Sequence, residues 1–561
     1  MATITIDGQT LEVDNTLTII QAARNNGIDI PHFCWHPQLS VAGNCRMCLV
    51  EVEKAPKLVI ACSTQVANGM VVHTTNERVL KARQAVMEFL LINHPLDCPI
   101  CDEAGECKLQ DYAYAHSVGV SRFEEDKVHK PKRVELGPHV MLDTERCIMC
   151  SRCVRFCDEI AGAGQLTFTQ RADHVELTTF PGESLDNPYS MNVIDICPVG
   201  ALTSREFRFK ARVWEMSATE SVCPGCARGC NIHTWVRNNE ILRQTPRFNA
   251  EVNQYWMCDW GRLETPRPVN SESRLRGPMM KKEAGVVDVG WDEAIARVAS
   301  ELKSFRRGET AVVGSAFDTN EDCYALQKFA RDVLQTRHID FQRHVDASRE
   351  DKLLISGDRT PNTRGALEVG LQPADHGAMF DGILRAIKEG TVKALFLADD
   401  NPAADPDVAQ TLMRLEFLVV LASVENETTR IADVVLPSST YAEKNGTFTN
   451  IQGRVQRIRP SVATLDVDRS LDGFALSRLD KFGSQYDRWA RGAKRDARPP
   501  WKIIAGIAAL MGSRFKYQTA EDVFNEIAAR VEAFGGMSYR RLGNRGLTLK
   551  SVKESRVSHP A

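Results

Sequence analysis

The sequence predicts a multidomain protein combining α/β and α+β segments, on three observations: its length, the confinement of its cysteines to one half, and a helix-strand alternation in the other. A chain of 561 residues exceeds what one hydrophobic core organises and divides into roughly three to four domains. Sixteen of its 17 cysteines fall between Cys34 and Cys258, in four consecutive groups. From about residue 287 a helical segment (Ala294 to Phe305) is followed by short apolar strands at Thr310 to Val313, Ala394 to Ala398 and Phe417 to Leu421. Such alternation is the pattern of a parallel sheet with helical crossovers.

Bulk charge excludes some partners. With 70 basic against 73 acidic residues and a net charge of -3, no global field draws the chain to nucleic acid or anionic lipid. The basic run Arg488 to Arg498 is expected to be a solvated face or subunit contact. The N-terminus lacks a basic region followed by an apolar run and is not expected to be a secretory signal. The apolar stretch Trp501 to Met511 contains Lys502 and is far shorter than the ~20 residues that span a bilayer. Repeated C-x-x-C steps and an odd cysteine count then favour metal ligation in a reducing compartment over disulfides.

Residues 3–6 and 11–13 read as strands turned by Asp7-Gly8, followed by a helix from Ile19 to Asn26 that ends at Gly27, the start of a ubiquitin-like sheet-and-helix grasp. Cys34, Cys45, Cys48 and Cys62 follow as C-x10-C-x2-C-x13-C. Four thiolates on one loop system can hold a [2Fe-2S] cluster. The central C-x2-C matches the plant-type spacing and the flanking gaps do not, and a structural zinc site is the alternative that four cysteines equally permit.

Helical periodicity over 79–92 is expected to stop at Asn93-His94-Pro95, because proline disfavours helix in the residue before it. There the ligands begin: His94, Cys98, Cys101 and Cys107, as H-x3-C-x2-C-x5-C. A lone histidine is ordinarily a cap or a packed side chain, but three following cysteines and no fourth make His94 the expected ligand of a [4Fe-4S] cluster, an imidazole replacing one thiolate. His116 and His129 lack such company and read as ordinary polar residues.

Cys147, Cys150, Cys153 and Cys157 form C-x2-C-x2-C-x3-C, and Cys197-Pro198 supplies the cysteine-proline pair usual at the end of such a run. In two-cluster ferredoxins the fourth cysteine of each run serves the other cluster. No cysteine lies between Cys157 and Cys197, so one [4Fe-4S] cluster is expected, on Cys147, Cys150, Cys153 and Cys197. Cys157 is then a small buried apolar residue; the alternative is that it replaces Cys197.

Cys223, Cys226, Cys230 and Cys258 give C-x2-C-x3-C-x27-C, a further cubane site. This spacing resembles the N-terminal cluster module of the molybdopterin oxidoreductases. Downstream segments agree: Trp291-Asp292-Glu293-Ala294, Thr319-Asn320-Glu321, Ala432 to Pro437, and Glu443 to Asn450 with Gly453-Arg454-Val455-Gln456. All four groups in this order resemble the large iron-sulfur subunit of respiratory complex I, the G type among the subunits of NADH-quinone oxidoreductase. The resemblance implies one [2Fe-2S] cluster, a histidine-ligated [4Fe-4S] cluster, a second [4Fe-4S] and, as in some members of the family, a fourth cluster off the main electron route.

On that resemblance the domains are a β-grasp [2Fe-2S] ferredoxin domain (1–78), small cluster-binding domains over 79–120, 121–212 and 213–270, and a molybdopterin-oxidoreductase-like α/β domain (271–561). The last is expected to be vestigial, without molybdenum. After Cys258 the only cysteine is Cys323, in a helical stretch; Asp346 or Ser348 beside His344 could ligate through oxygen, but such residues after a helix are ordinarily loop. Family enzymes place a lysine and glycine soon after the last cluster cysteine, whereas here the run is Cys258-Asp259-Trp260-Gly261-Arg262. They also continue into a further cofactor-closing domain, for which little length is left before Ala561.

The expected function is an electron relay within an NADH:quinone oxidoreductase, with no independent catalytic site in this chain. Its expected partners are a flavin- and NADH-binding subunit, docked on the N-terminal domains, and a quinone-reducing module. Membrane association, at the cytoplasmic face of a bacterial inner membrane, would go through partners alone. No G-x-G-x-x-G or P-loop fingerprint is present, so nucleotide and flavin are expected elsewhere. The competing readings are the large subunit of an NAD-linked formate dehydrogenase, a hydrogenase-associated electron-transfer subunit, and a zinc-stapled interaction scaffold.

Overall fold

The computed structural model describes residues 1–283, 285–373, 379–466 and 494–550. They fall into two units, Met1–Val213 and Trp214–Ala561.

In the first unit, β1 (Ala2–Ile6) and β2 (Gln9–Val13) pair antiparallel across Asp7-Gly8. Both turn residues have positive φ, 46° and 84°, as a two-residue hairpin with the right-handed strand twist requires. Helix α1 (Ile19–Asn25) starts at a Thr18/Gln21 capping box and buries Ile19, Ile20, Ala22 and Ala23. Strands β3 (Leu49–Val52), β4 (Val59–Ile60) and β5 (Val71–His73) complete a sheet of order β2-β1-β5-β3-β4, with β1 and β5 parallel. This is the expected grasp. Its core includes Ile4, Ile6, Ile19, Val50 and Val72, and its long loop between α1 and β3 carries Cys34, Cys45 and Cys48.

Helix α2 (Glu77–Ile92) stops at Asn93, as Pro95 requires. It is followed by α3 (Lys108–His116) and α4 (Arg152–Glu159). A three-stranded sheet, Val134–Glu135, Val140–Leu142 and Leu202–Ser204, brings the segment after Cys197 back beside the segment before Cys147.

The second unit centres on a seven-stranded sheet. Ile339–Phe341, Thr310–Gly314, Ala394–Ala398, Phe417–Ala422 and Val434–Pro437 run parallel in that spatial order, and the hairpin of Met279–Lys282 with Gly285–Asp288 closes one side antiparallel. Alternate strand residues enter different cores. Val312, Phe396, Val419 and Leu436 pack with Val298 of helix Trp291–Ser304 and Ile507 of helix Pro500–Leu510, while Val313, Leu395, Leu397 and Val420 pack with Ile383 and Ile387 of helix Phe380–Lys388. Burial on both faces explains why these strands read as unbroken apolar runs, and each large side chain so buried contributes about 2 kcal/mol. The apolar stretch at 501–511 is thus a core helix; no described helix is long and apolar enough to cross a membrane. Of the basic run, residues 488–493 lie outside the described residues; the Arg498 guanidinium stacks over Trp291 at 4.3 Å.

The segments around Thr319 and Glu443 interlock through buried polar contacts. Asn320 Nδ2 donates to Thr447 and Thr449 Oγ1 at 2.9 and 3.0 Å, and Glu321 accepts from the Thr447 amide and the Tyr539 hydroxyl at 2.8 and 2.9 Å. Lys444 Nζ sits 3.0 Å from Asp318 and 2.7 Å from Asp322. Gly446 leaves room for this closure, since a Cβ there would lie 2.5 Å from Thr319 Cγ2.

Glu443 accepts both Arg274 Nη groups at 2.9 and 2.8 Å, with both side chains 1% exposed. Removing one partner of such a pair strands a buried charge, at a cost of about 3 to 5 kcal/mol. Glu443→Ala is therefore expected to lower the denaturation midpoint of the second unit. Tryptophan fluorescence isolates that unit, because every tryptophan but Trp35 lies beyond residue 213; an unchanged midpoint refutes the assignment.

Burial raises the Glu321 carboxyl to about 7, above its ordinary value near 4.5. The folded form therefore holds its proton to higher pH than the unfolded form does, so its contribution is fully present below about 4.5 and lost as pH rises toward 7. Glu321→Gln should flatten the fall in melting temperature across that window, and a variant with the wild-type slope would contradict this.

Candidate metal centres

None of the 17 cysteines is paired in a disulfide. In the first group Cys34, Cys48 and Cys62 are buried, on the loop after α1, immediately before β3 and just after β4. The Cys34 amide lies 3.4 Å from Cys45 Sγ. The thiols form two hydrogen-bonded pairs: contact with Cys45 lowers the Cys34 thiol and contact with Cys34 raises Cys45, and Cys48 is lowered and Cys62 raised in the same way by each other. Gly43, at φ 63°, makes the loop's sharp bend, and a Cβ there would press on Ile60 at 3.1 Å.

The third group has a cavity of its own. Cys147, Cys150, Cys153 and Cys197 line it together with Ile148, Arg152, Phe168, Leu177 and Leu202. Cys157 is fully buried and is absent from that lining. The loop reaches this shape through Met149 and Ser151, both left-handed at φ 52° and 59°; such non-glycine backbone costs roughly 1 kcal/mol or more per residue and is retained where a site needs it. Burial pushes the Cys147 thiol up to about 12 and raises those of Cys153 and Cys197 well above the ordinary thiol value. A metal-free site is therefore a set of neutral thiols, and thiolates form there together with cationic iron.

In the second unit Cys223, Cys226, Cys230 and Cys258 line another cavity, with Gly225, Gly229, Gly261, Trp260, Leu354 and Arg359. The Cys223 amide donates to the Cys230 carbonyl at 2.8 Å and closes the loop. Gly261, in the first turn of helix Asp259–Glu264, donates to Cys258 Sγ at 3.3 Å. A Cβ at that glycine would lie 3.0 Å from Cys223 Sγ.

The second group is more open. Cys98 is exposed, Cys101 and Cys107 buried, and neighbouring charge links Cys101 to Cys98 and Cys107 to Cys101. Burial lowers His94 to about 4, so its imidazole is neutral and able to ligate. His94 lines a cavity of about 190 Å3 with Asn93, Lys130, Thr144, Glu145 and Cys147, and Cys98, Cys101 and Cys107 do not line that cavity. His129 pairs with Glu145 at 2.9 Å, and the His116 ring lies 6.0 Å from that of Tyr112.

Within the first unit the sites are strapped together. Arg155 Nη2 donates to the carbonyls of Cys34 at 2.6 Å and Cys150 at 3.2 Å, and Asn44 donates to the Met149 carbonyl at 3.1 Å. The segment after Cys197 meets the second group: Cys107 Sγ lies 3.9 Å from the Pro198 carbonyl, and a Cβ on Gly200 would come within 2.2 Å of Cys101 Sγ. Arg152, Arg155 and Gly200 did not stand out in the sequence, where the only signal was two arginines set among the cysteines of the third group.

Four cysteines ring each of two cavities.

The parallel sheet of the second unit opens into a larger cavity of about 590 Å3, lined by Trp260, Phe317, Asp318, His344, Asp399, Lys444 and others. No cysteine lines it. Cys323 is buried with its Sγ 3.4 Å from the Ser315 carbonyl, Asp346 and Ser348 bond each other on an exposed turn, and His344 pairs with Asp400 at 2.9 Å. The donor set does not fit a thiolate-bound molybdenum.

Five family models match the chain. They describe a 2Fe-2S iron-sulfur cluster binding domain (1–77), an NADH-ubiquinone oxidoreductase-G iron-sulfur binding region (83–122), an NADH-quinone oxidoreductase subunit 3 ferredoxin-like domain (137–203), a molybdopterin oxidoreductase Fe4S4 domain (216–263) and a molybdopterin oxidoreductase domain (358–466). The NADH-quinone oxidoreductase G subunits of Rickettsia bellii and Streptomyces coelicolor are similar to it. The first is 43% identical over 333 residues, 59% of this chain and 48% of that protein. The second is 41% identical over 359 residues, 64% of this chain and 42% of that protein. The chain spans about half the length of the curated relatives it matches. A solved NAD+-reducing [NiFe]-hydrogenase chain in the H2-reduced state is 30% identical, with 38% of this chain and 91% of that chain covered and a TM-score of 0.34.

Gly200→Ala should displace Cys101 and reduce the iron content of the purified chain by one cluster, and full iron content in the variant would count against the contact. The chain is an iron-sulfur protein related, over about three fifths of its length, to the G subunits of NADH-quinone oxidoreductase, and it carries a domain of the molybdopterin oxidoreductase kind in its C-terminal half.

Proposed function

We propose that the chain is the electron-relay subunit of an NADH:quinone oxidoreductase. Sixteen side chains would hold its clusters: Cys34, Cys45, Cys48 and Cys62 a [2Fe-2S] cluster; His94, Cys98, Cys101 and Cys107 a [4Fe-4S] cluster; Cys147, Cys150, Cys153 and Cys197 a second; and Cys223, Cys226, Cys230 and Cys258 a third. The observation that carries this reading is the convergence of the last two sets on cavities of their own. Each cluster, when bound, accepts and releases one electron at a time.

The chain's part is positioning. Arg155 ties the first site to the third, and Gly200 brings the third against the second, so the third site adjoins both of the others. Packing at this range keeps transfer distances short and fixed, and hydrogen bonds and burial around the sulfurs set the potentials.

The names of the relatives support an NADH-linked complex. NADH and flavin would sit on a partner that meets the first unit, with a quinone-reducing module beyond and the membrane reached through partners at its cytoplasmic face. We read the second unit beyond its cluster module as a scaffold without molybdenum, since no described cysteine lines its large cavity.

The purified chain should contain iron and acid-labile sulfide in near-equal amounts, with neither zinc nor molybdenum in stoichiometric quantity. Dithionite reduction should develop low-temperature paramagnetic resonance signals of both cluster types. Stoichiometric zinc without labile sulfide would refute the relay, and stoichiometric molybdenum would refute the scaffold.

A further inference from the structure

Arg152 lies between Cys150 and Cys153 at the start of α4 and is 5% exposed. Two of its donors are committed to backbone on either side of the site: Nη1 to the carbonyl of Ile196 at 3.1 Å and Nη2 to that of Trp35 at 2.6 Å. Ile196 precedes Cys197 and Trp35 follows Cys34, so one guanidinium grips the chain next to a ligand of each centre. Its third nitrogen differs. Nε is buried and has no hydrogen-bond partner among the protein groups, and Arg152 is one of the residues lining the cavity ringed by Cys147, Cys150, Cys153 and Cys197.

An unmade buried hydrogen bond costs about 1 to 3 kcal/mol, and the acceptor the chain does not supply is one that a cluster in this cavity would. Arg152 is also within electrostatic reach of Cys150, Cys197, Cys34 and Cys45. Arg155, one turn on, has its Nε bonded to Ser151 Oγ at 3.2 Å, Nη1 on the Ser40 carbonyl and Nη2 on those of Cys34 and Cys150. Each of its three nitrogens has a partner in the chain, and its Nε is not orphaned as that of Arg152 is.

We propose that Arg152 is a positioning residue that donates its Nε hydrogen to a sulfur of the third-site cluster and thereby raises that cluster's reduction potential, while its Nη groups hold the first-site and third-site loops together. The inference rests on the iron-sulfur reading above. One-electron reduction adds one negative charge to the cluster without a proton, and a donated hydrogen bond from a cation favours the more negative state.

The test is a dithionite titration of the iron-loaded full chain, followed by low-temperature paramagnetic resonance, with the third-site signal identified as the one that Cys150→Ala removes. Arg152→Met should shift that signal to lower potential. Arg152→Lys, which keeps the charge and loses the Nε donor, should shift it less but in the same direction. Arg155→Met should shift it less than Arg152→Met. An unchanged potential in both Arg152 variants, or a shift no larger than that of Arg155→Met, overturns the hydrogen bond; loss of the third-site signal in both reduces Arg152 to a structural strap and overturns it equally. A wild-type chain without any [4Fe-4S] signal would instead sink the iron-sulfur reading on which the proposal stands.

Discussion

Sulfur burial is the constraint on which the first 260 residues depend. A buried thiol resists ionisation, as the raised values at Cys147, Cys153, Cys197, Cys223 and Cys258 show, so these loops are built for a ligand that brings positive charge. The loops of the first and third sites are held by backbone carbonyls gripped by arginine, by glycines where sulfur and backbone meet, and by left-handed residues at the bends.

The second unit solves a different problem. Its sheet is buried on both faces, and apolar packing supplies its stability, while the segments that resemble redox enzymes form a polar network beneath the sheet's open end. Asp318, Asp322 and Lys444 pair there, and Glu321 joins Thr447 to Tyr539. Burial removes water as a partner, so each group needs another in the chain. The segment at 443–450 thereby supplies partners for buried polar groups of the 318–322 segment, whatever else it contacts.

Much of the local structure was legible from sequence. The Asp7-Gly8 hairpin, the helix ending before Pro95 and the apolar strands at 394–398 and 417–421 follow from turn geometry, proline sterics and two-sided burial, and each appears in the structure. The placement of Arg152, Arg155 and Gly200 was not legible. Their contacts join residues such as Arg155 and Cys34 that are far apart in the chain, and nothing in local periodicity reports a carbonyl brought in by another loop. His94 lies between these cases: spacing puts it at the helix end, and the structure leaves it neutral and beside Cys147.

By itself the sequence determined the inventory of soft donors, their grouping and the elements that carry them, because ligand spacing and strand burial are properties of short segments. Only the tertiary structure decided which sulfurs share a cavity, that Cys157 stays outside the one ringed by its neighbours, and which site adjoins which. Those outcomes depend on loops meeting across long stretches of chain, where steric fit and the pairing of buried polar groups select one arrangement.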